Sequence, residues 1–284
     1  MLVAYWQLAK PGIVAMVLVA TGMGFVLANP RVLALQLLLS ALLGTGLVTA
    51  GVAALNHLLE RDADARMERT RYRPLVSGAI SPRQAMIYGV LLITTGLIWL
   101  IWRVNGLAVG LVAGAAIIYA TLYTPLKMVT VWNTPIGAIA GAIPPLVGWA
   151  SATGELDTRA WLLFLILFAW QHPHFYAIAW LFRDDYARAG FKMLPVVAPD
   201  GKRTFRLAVA YSLLLLFVSL LPCVWQMTGY VYLAGALALG IMLVTLSIRC
   251  ALMCSQRNAQ LLFHASLLYL PLLSLLILLN YRTI

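Results

Sequence analysis

Asn56, Glu60 and Asp64 stand at i, i+4 and i+8 in the run Asn56-His-Leu-Leu-Glu60-Arg-Asp62-Ala-Asp64. On a helix this spacing lays one amide and two carboxylates along a single stripe. Like charges four residues apart repel on a bare helix by roughly a few tenths of a kcal/mol, so the pattern gains a purpose when a cation sits among them. Oxygen donors of these types suit Mg²⁺, which binds through one or two carboxylates and fills its shell with water and substrate phosphate. Asp62 is a further oxygen donor in the same run. Arg66, Arg69, Arg71 and Arg73 follow, each able to offer forked donors to phosphate oxygens. The competing explanation is a solvated loop whose charges merely pair. Asn56 speaks against it, because it lies on an apolar run where polar groups are costly and usually functional.

The elements that must carry this chemistry are membrane helices. Of the 284 residues, 63% are hydrophobic and 10% charged, too few charges to coat a globule of this size in water. Uncharged apolar windows near 11–29, 33–58, 84–102, 105–124, 132–152, 160–181, 207–224, 229–248 and 260–280 each suffice to span a bilayer. None alternates as a barrel strand does, so the fold class is an all-α polytopic membrane protein of nine transmembrane helices, a single domain over 1–284. With the N-terminus inside, sixteen of the twenty Lys and Arg fall on the cytoplasmic face; Arg31, Arg103, Arg159 and Arg282 face out. The net charge of +11 therefore reflects topology and calls for no nucleic-acid partner.

Seven of the nine acids crowd two loops on that cytoplasmic face: Glu60, Asp62, Asp64 and Glu68, then Asp184, Asp185 and Asp200. The loops lie four helices apart, which suggests a four-helix pseudo-repeat. Elsewhere plain packing explains the features. Cys223, Cys250 and Cys254 suit small packing positions, Gly137-x-x-x-Gly141 suits a close helix contact, and Pro144-Pro145 predicts a kink in the fifth span.

Asn56-x-x-x-Glu60-x-x-x-Asp64 resembles the first aspartate-rich motif of the UbiA superfamily of intramembrane aromatic prenyltransferases. The continuation through Met67-Glu68-Arg69-Thr70 and Arg73-Pro74-Leu75 resembles its haem-farnesylating branch. Leu8-Ala-Lys10-Pro11, Tyr123-Thr-Pro-Leu-Lys127, Asn133-Thr134-Pro-Ile-Gly137 and Gly141 to Trp149 agree with that branch. So does Trp170-Gln171-His172-Pro173-His174-Phe175, with Asp185-Tyr186 and Met193-Leu194-Pro195 beyond. The resemblance spans about residues 8–200. Glu60 stands where the superfamily usually has Asp, which keeps the charge. The second motif, normally Asp-x-x-x-Asp, is broken, because Arg188 follows Asp184 and Ala189 follows Asp185.

The resemblance implies a UbiA-type helical bundle in a bacterial plasma membrane, with the loops at 60–82 and 182–203 as a cytoplasmic cap. It implies Mg²⁺-dependent transfer from farnesyl diphosphate to a vinyl group of haem b, with water added, giving haem O. The implied metal set is Asn56, Glu60 and Asp64, with Asp62, Tyr123 and Lys127 also catalytic. Arg66, Arg69, Arg73, Lys127 and Lys192 are the implied diphosphate clamps. His172, His174, Trp170 and Asp185 are the implied haem contacts, with His174 preferred as ligand. His57 shapes the metal stripe, and His264 has nothing beside it to recommend it. The enzyme that oxidises haem O to haem A would be the downstream partner. A relative acting on a quinone precursor or chlorin is the alternative, and a haem-handling protein or transporter is the non-catalytic one. A transporter should carry its polar groups at the midplane, whereas these acids gather at one surface.

Overall fold

A computed structural model describes residues 1–28 and 34–281. Among them, nine helices are long and apolar enough to cross a membrane. They are α1 (Pro11–Ala28), α2 (Leu35–Leu59), α3 (Pro82–Arg103), α4 (Gly106–Val129), α5 (Asn133–Thr153), α6 (Thr158–Leu181), α7 (Lys202–Val224), α8 (Tyr230–Met253) and α9 (Gln256–Asn280). The number agrees with the apolar windows, and the chain is a multi-pass, all-helical membrane protein. The ends differ: α7 starts at Lys202 and α8 runs to Met253, because helices continue past the hydrocarbon into polar flanks. Arg31 and Arg282, two of the four bases expected to face out, lie outside the described residues.

The chain forms two compact units, Met1–Leu156 with Asp184–Lys192, and Asp157–Arg183 with Met193–Ile284. In the first, α2 packs along α3 and α1 packs against the second half of α5. Small residues allow this last contact. A Cβ on Gly148 would sit 1.8 Å from the Thr21 carbonyl oxygen, and one on Gly24 would sit 2.1 Å from that of Pro145. In lipid, helices associate through such close backbone approach. The expected kink in α5 falls at Ile143, where the hydrogen-bond ladder lapses between Asn133–Ala142 and Pro144–Thr153 while the backbone stays helical, φ −67° and ψ −32°. Prolines 144 and 145 have no N–H with which to continue the ladder. Gly137 lies under the Tyr123 ring, where a Cβ would come within 2.6 Å.

Local signals set the other ends. Ser81 and Gln84 form a reciprocal cap on α3, with Pro82 at its first position. Asn105 caps α4, accepting from the Ala108 N–H. Between Ile118 and Tyr123, α4 opens into a wide π turn. A short helix, Leu2–Leu8, precedes α1; no apolar window anticipates it. It exposes Leu2, Val3 and Trp6 and buries Leu8 against Ala54, Leu75, Ile80 and Ala85. An exposed apolar face with Trp suits the headgroup boundary.

In the second unit, α6 packs on α7 and α9, and α8 joins α7 to α9, closing a ring of four. Buried hydroxyls pair inside it: Ser212 with Ser247 at 2.8 Å, and Ser219 with Tyr269 at 2.9 Å. Cys250 is buried in α8 and the three cysteines are free thiols, consistent with packing.

Gly148→Ala forces α1 and α5 apart, at a cost of about 1–3 kcal/mol. Gly110→Ala meets nothing within 4 Å and should be neutral or slightly stabilising. Thermal unfolding in detergent should rank Gly148→Ala well below wild type and below Gly110→Ala. Equal midpoints would remove the close-approach account.

Candidate functional site

The stripe on α2 survives a break in the helix. Helix α2 ends at Leu59 and a short helix, Arg61–Arg66, follows. The i→i+4 bonds nevertheless continue across Glu60: its N–H donates to the Asn56 carbonyl at 2.9 Å, and the Asp64 N–H donates to the Glu60 carbonyl at 2.8 Å. Asn56, Glu60 and Asp64 thus stay aligned, and all three are buried.

Each meets a basic side chain from a different part of the first unit. Lys10 Nζ donates to Asn56 Oδ1 at 2.5 Å, Lys127 Nζ to Glu60 Oε1 at 2.6 Å, and Arg73 Nη1 to Asp64 Oδ2 at 2.7 Å. Asn56 Nδ2 also donates to Thr124 Oγ1. Burial alone would raise the Glu60 carboxyl, but Lys127 and Lys10 hold it below its usual range. Burial raises Asp64 against the pull of Arg73. Burial and the Arg73 charge push the Lys10 ammonium down to about 7.

Local structure delivers these cations. Leu75 and Ile80 are buried under the loop at 60–82 and pin it, while Thr70 Oγ1 donates to the Asp64 carbonyl at 2.8 Å. Arg73 is carried in with them. The π turn lines up Tyr119, Tyr123 and Lys127: the two rings lie 5.0 Å apart, and Lys127 Nζ sits 4.3 Å from the Tyr123 ring centroid. Lys10 follows the Leu2–Leu8 helix in a left-handed conformation, φ 49°.

An apolar cavity opens beneath this polar head. Lys10 and Tyr119 stand at its upper end, with Val17, Val48, Ala116 and Pro144 among the residues along its wall.

The segment 184–192 packs on the same unit. Asp185 accepts the Glu68 N–H at 3.0 Å and a short bond from Arg188, and Arg188 also approaches Glu68 at 3.5 Å. Burial would raise the Asp185 carboxyl, but the Glu68 amide and Arg188 hold it below its usual range. Asp185 therefore clips one loop to the other. Arg69 donates to Tyr186 OH at 3.0 Å and lies over its ring. The Lys192 N–H donates to the Lys127 carbonyl at 2.6 Å; its side chain is exposed.

Asp62 and Arg66 are exposed and face away from the stripe, with Arg66 Nε on the Asp62 carbonyl. His57 is buried with Nδ1 3.9 Å from Asp64 Oδ2. In the second unit, His172 stacks on Tyr211 with ring centroids 3.5 Å apart, and His174 stacks on Trp170 at 5.0 Å. His172 Nδ1 meets the Phe168 carbonyl, which can only accept, so Nδ1 carries the proton and Nε2 the lone pair. That Nε2 is buried with no hydrogen-bond partner among the described residues. His174 Nδ1 meets Ser266 Oγ at 2.9 Å, and Ser266 in turn donates to the Phe263 carbonyl. His264 is exposed and bonds only the Gln260 carbonyl one turn back.

Lys10 and Tyr119 join the site without having been singled out as site residues from the sequence. Tyr119 had a readable signal, since Tyr119, Tyr123 and Lys127 share the i, i+4, i+8 spacing.

Among the described residues no three His, Cys, Asp or Glu side chains converge as a full metal cage. The stripe offers instead an incomplete oxygen set that includes Asp64 Oδ1, buried and without a hydrogen-bond partner. An unsatisfied buried carboxylate oxygen beside an amide and a second carboxylate fits Mg²⁺, which keeps water and phosphate in its shell.

A buried amide-and-carboxylate head over an apolar channel, in a nine-span bundle, is the layout of an intramembrane enzyme acting on a long amphiphile. Solved proteins share this fold. A structure of digeranylgeranylglyceryl phosphate synthase superposes with a TM-score of 0.80 at 17% identity, covering 98% of each chain. A UbiA homologue from Archaeoglobus fulgidus, bound to GPP and Mg²⁺, gives 0.64 at 18% identity over 96% of this chain and 99% of that one. The UbiA prenyltransferase family matches residues 17–278, and the chain belongs to it. Among its curated relatives, the protoheme IX farnesyltransferase of Solibacter usitatus is 44% identical over 97% of this chain and 98% of that one. That of Salinibacter ruber is 41% identical over 99% of each.

Removing one partner of a buried ion pair strands the other charge at about 3–5 kcal/mol. Lys127→Met should therefore unfold at clearly lower temperature than wild type, and Lys127→Met with Glu60→Gln should regain much of the loss. A single variant as stable as wild type would show that the pair is not desolvated.

Proposed function

We propose that this chain transfers the farnesyl group of farnesyl diphosphate to a vinyl group of haem b, with addition of water, giving haem O. The carrying observation is the buried Asn56–Glu60–Asp64 stripe, ringed by Lys10, Arg73 and Lys127 at the mouth of an apolar cavity. It occurs in a chain 44% identical, almost end to end, to a protoheme IX farnesyltransferase.

The diphosphate binds at the polar head and the isoprenoid tail lies in the cavity. Asn56, Glu60 and Asp64 would hold Mg²⁺, which would offset the charge that develops on the leaving diphosphate. Lys10, Arg73 and Lys127 swing from the stripe toward the phosphate oxygens, supported by Arg69 and the segment that carries Lys192. The C1–O bond of the farnesyl ester breaks and diphosphate leaves with the electron pair. The terminal vinyl carbon attacks C1, and the cation left beside the porphyrin ring takes up water. The proton lost from that water goes to diphosphate, and no oxidant or reductant is needed. Tyr119 and Tyr123 present ring faces that favour a cation in a dry site. The loops at 60–82 and 182–203 form the cap that keeps water out. His172 and His174, each held through Nδ1 with Nε2 as the lone-pair nitrogen, are the haem contacts, with Trp170 stacked on His174.

The charge asymmetry supports a polar head and N-terminus in the cytoplasm and a C-terminus outside, in a bacterial plasma membrane. The chain works as one catalytic domain whose product passes to the enzyme that oxidises haem O.

The test is mass analysis of haem extracted from membranes of a host lacking its own farnesyltransferase. Wild type should yield a farnesylated, hydroxylated haem. Asp64→Ala should insert normally and lose at least a hundredfold of product, whereas Asp62→Ala should keep most of it. Unmodified haem b from properly inserted wild type would sink the proposal. For the haem contacts, His172→Ala or His174→Ala should shift the Soret band of bound haem; unchanged spectra in both would remove ligation.

A further inference from the structure

The apolar cavity has a floor at a defined depth. Helices α2 and α4 run toward the polar head, and α1 and α5 run away from it, so the cavity wall can be ordered by height. Ala53, Tyr119 and Ala140 stand near the head; Thr45, Val112 and Val147 stand at the far end. All three floor residues are buried. Below them the bundle closes. Gly148 meets the Thr21 carbonyl with no room for a Cβ, Ala108 and Ala150 are fully buried, and Asn105 Nδ2 donates to the Ala150 carbonyl at 2.8 Å.

Helix α2 rises about 16 Å from Thr45 to Asn56 at 1.5 Å per residue. An extended farnesyl chain, at ordinary carbon–carbon bond lengths, measures about 14 Å, and a fourth isoprene unit adds about 5 Å. By height the cavity therefore admits three units below a diphosphate held at the stripe, and a fourth would overrun the floor. A geranyl chain would leave its lower end unfilled, forfeiting contact with the floor.

We propose that Thr45, Val112 and Val147 are the residues that set the length of the transferred chain at three isoprene units. The proposal rests on the prenyl-transfer reading. Thr45 has a further mark: its Oγ1 is buried with no hydrogen-bond partner among the described residues, so its side chain contributes only bulk to the floor.

The experiment offers purified full-length protein in lipid an equimolar mixture of geranyl, farnesyl and geranylgeranyl diphosphates, with Mg²⁺ and haem b, and weighs the products. Wild type should transfer mainly farnesyl. Val112→Ala deepens the floor and should raise the C20-to-C15 product ratio at least tenfold. Thr45→Leu raises the floor and should raise the C10-to-C15 product ratio at least tenfold. Thr45→Val, equal in size, should stay within twofold of wild type. Val112→Ala removes bulk into an existing cavity and is the decisive variant if Thr45→Leu does not fold. An unchanged C20-to-C15 ratio in Val112→Ala overturns the floor. Thermal stabilisation by the non-hydrolysable thiodiphosphate analogues of each length provides a second readout independent of the acceptor. If wild type modifies no haem yet is stabilised by the farnesyl analogue alone, and Val112→Ala gains the geranylgeranyl response, the haem assignment falls and the floor stands.

Discussion

Two carboxylates stacked four residues apart and out of water are untenable unless something neutralises them, and most of the first unit is arranged to do so. Lys10, Arg73 and Lys127 come from before α1, from the loop after α2 and from the end of α4. Each is delivered at a local cost. Lys10 sits in a left-handed conformation worth about 1 kcal/mol in a residue with a Cβ. Lys127 depends on an opened helical turn, and Arg73 depends on a loop pinned by Leu75 and Ile80. Such deviations persist where surrounding structure over-determines them, and they concentrate at functional sites.

The pairing also leaves the head with donors to spare, since three basic side chains face two carboxylates. The apolar wall begins directly below the head. Asp185, which a metal-rich second motif would need, is committed to the Glu68 amide and to Arg188. The broken second motif thus has a structural use in fastening two loops together.

The stripe itself was legible because its information is local: three residues at helical spacing reveal a shared face wherever the helix ends. The spans were legible because bilayer thickness sets their length. Their partners were not. Lys10 reaches Asn56 and Lys127 reaches Glu60 across stretches of chain that carry no pairing signal, and a lysine before a span satisfies the positive-inside pattern whether or not it turns inward. Asp62 and Arg66 show the converse, for an offset of two residues on a helix turns a plausible ligand outward. The short Leu2–Leu8 helix escaped because seven residues are too few for an apolar window. The prolines of α5 announced the lapse at Ile143, because a missing N–H is a local property.

The π turn between Ile118 and Tyr123 has a meaning for how this helix could change over evolutionary time. It accommodates one surplus residue within α4, between the lower half that lines the cavity and the upper half that carries Lys127 to Glu60. Deleting that residue would restore a regular α-helix and leave both halves facing as they do, whereas closing the turn to α geometry with the residue kept would rotate everything beyond it by about 100°. The Lys127 ammonium would swing off Glu60 while Val112 and Ala116 kept their places on the cavity wall. The two halves of α4 are in effect separately indexed: the turn absorbs the surplus residue, so the face that lines the cavity and the face that carries Lys127 keep their own registers.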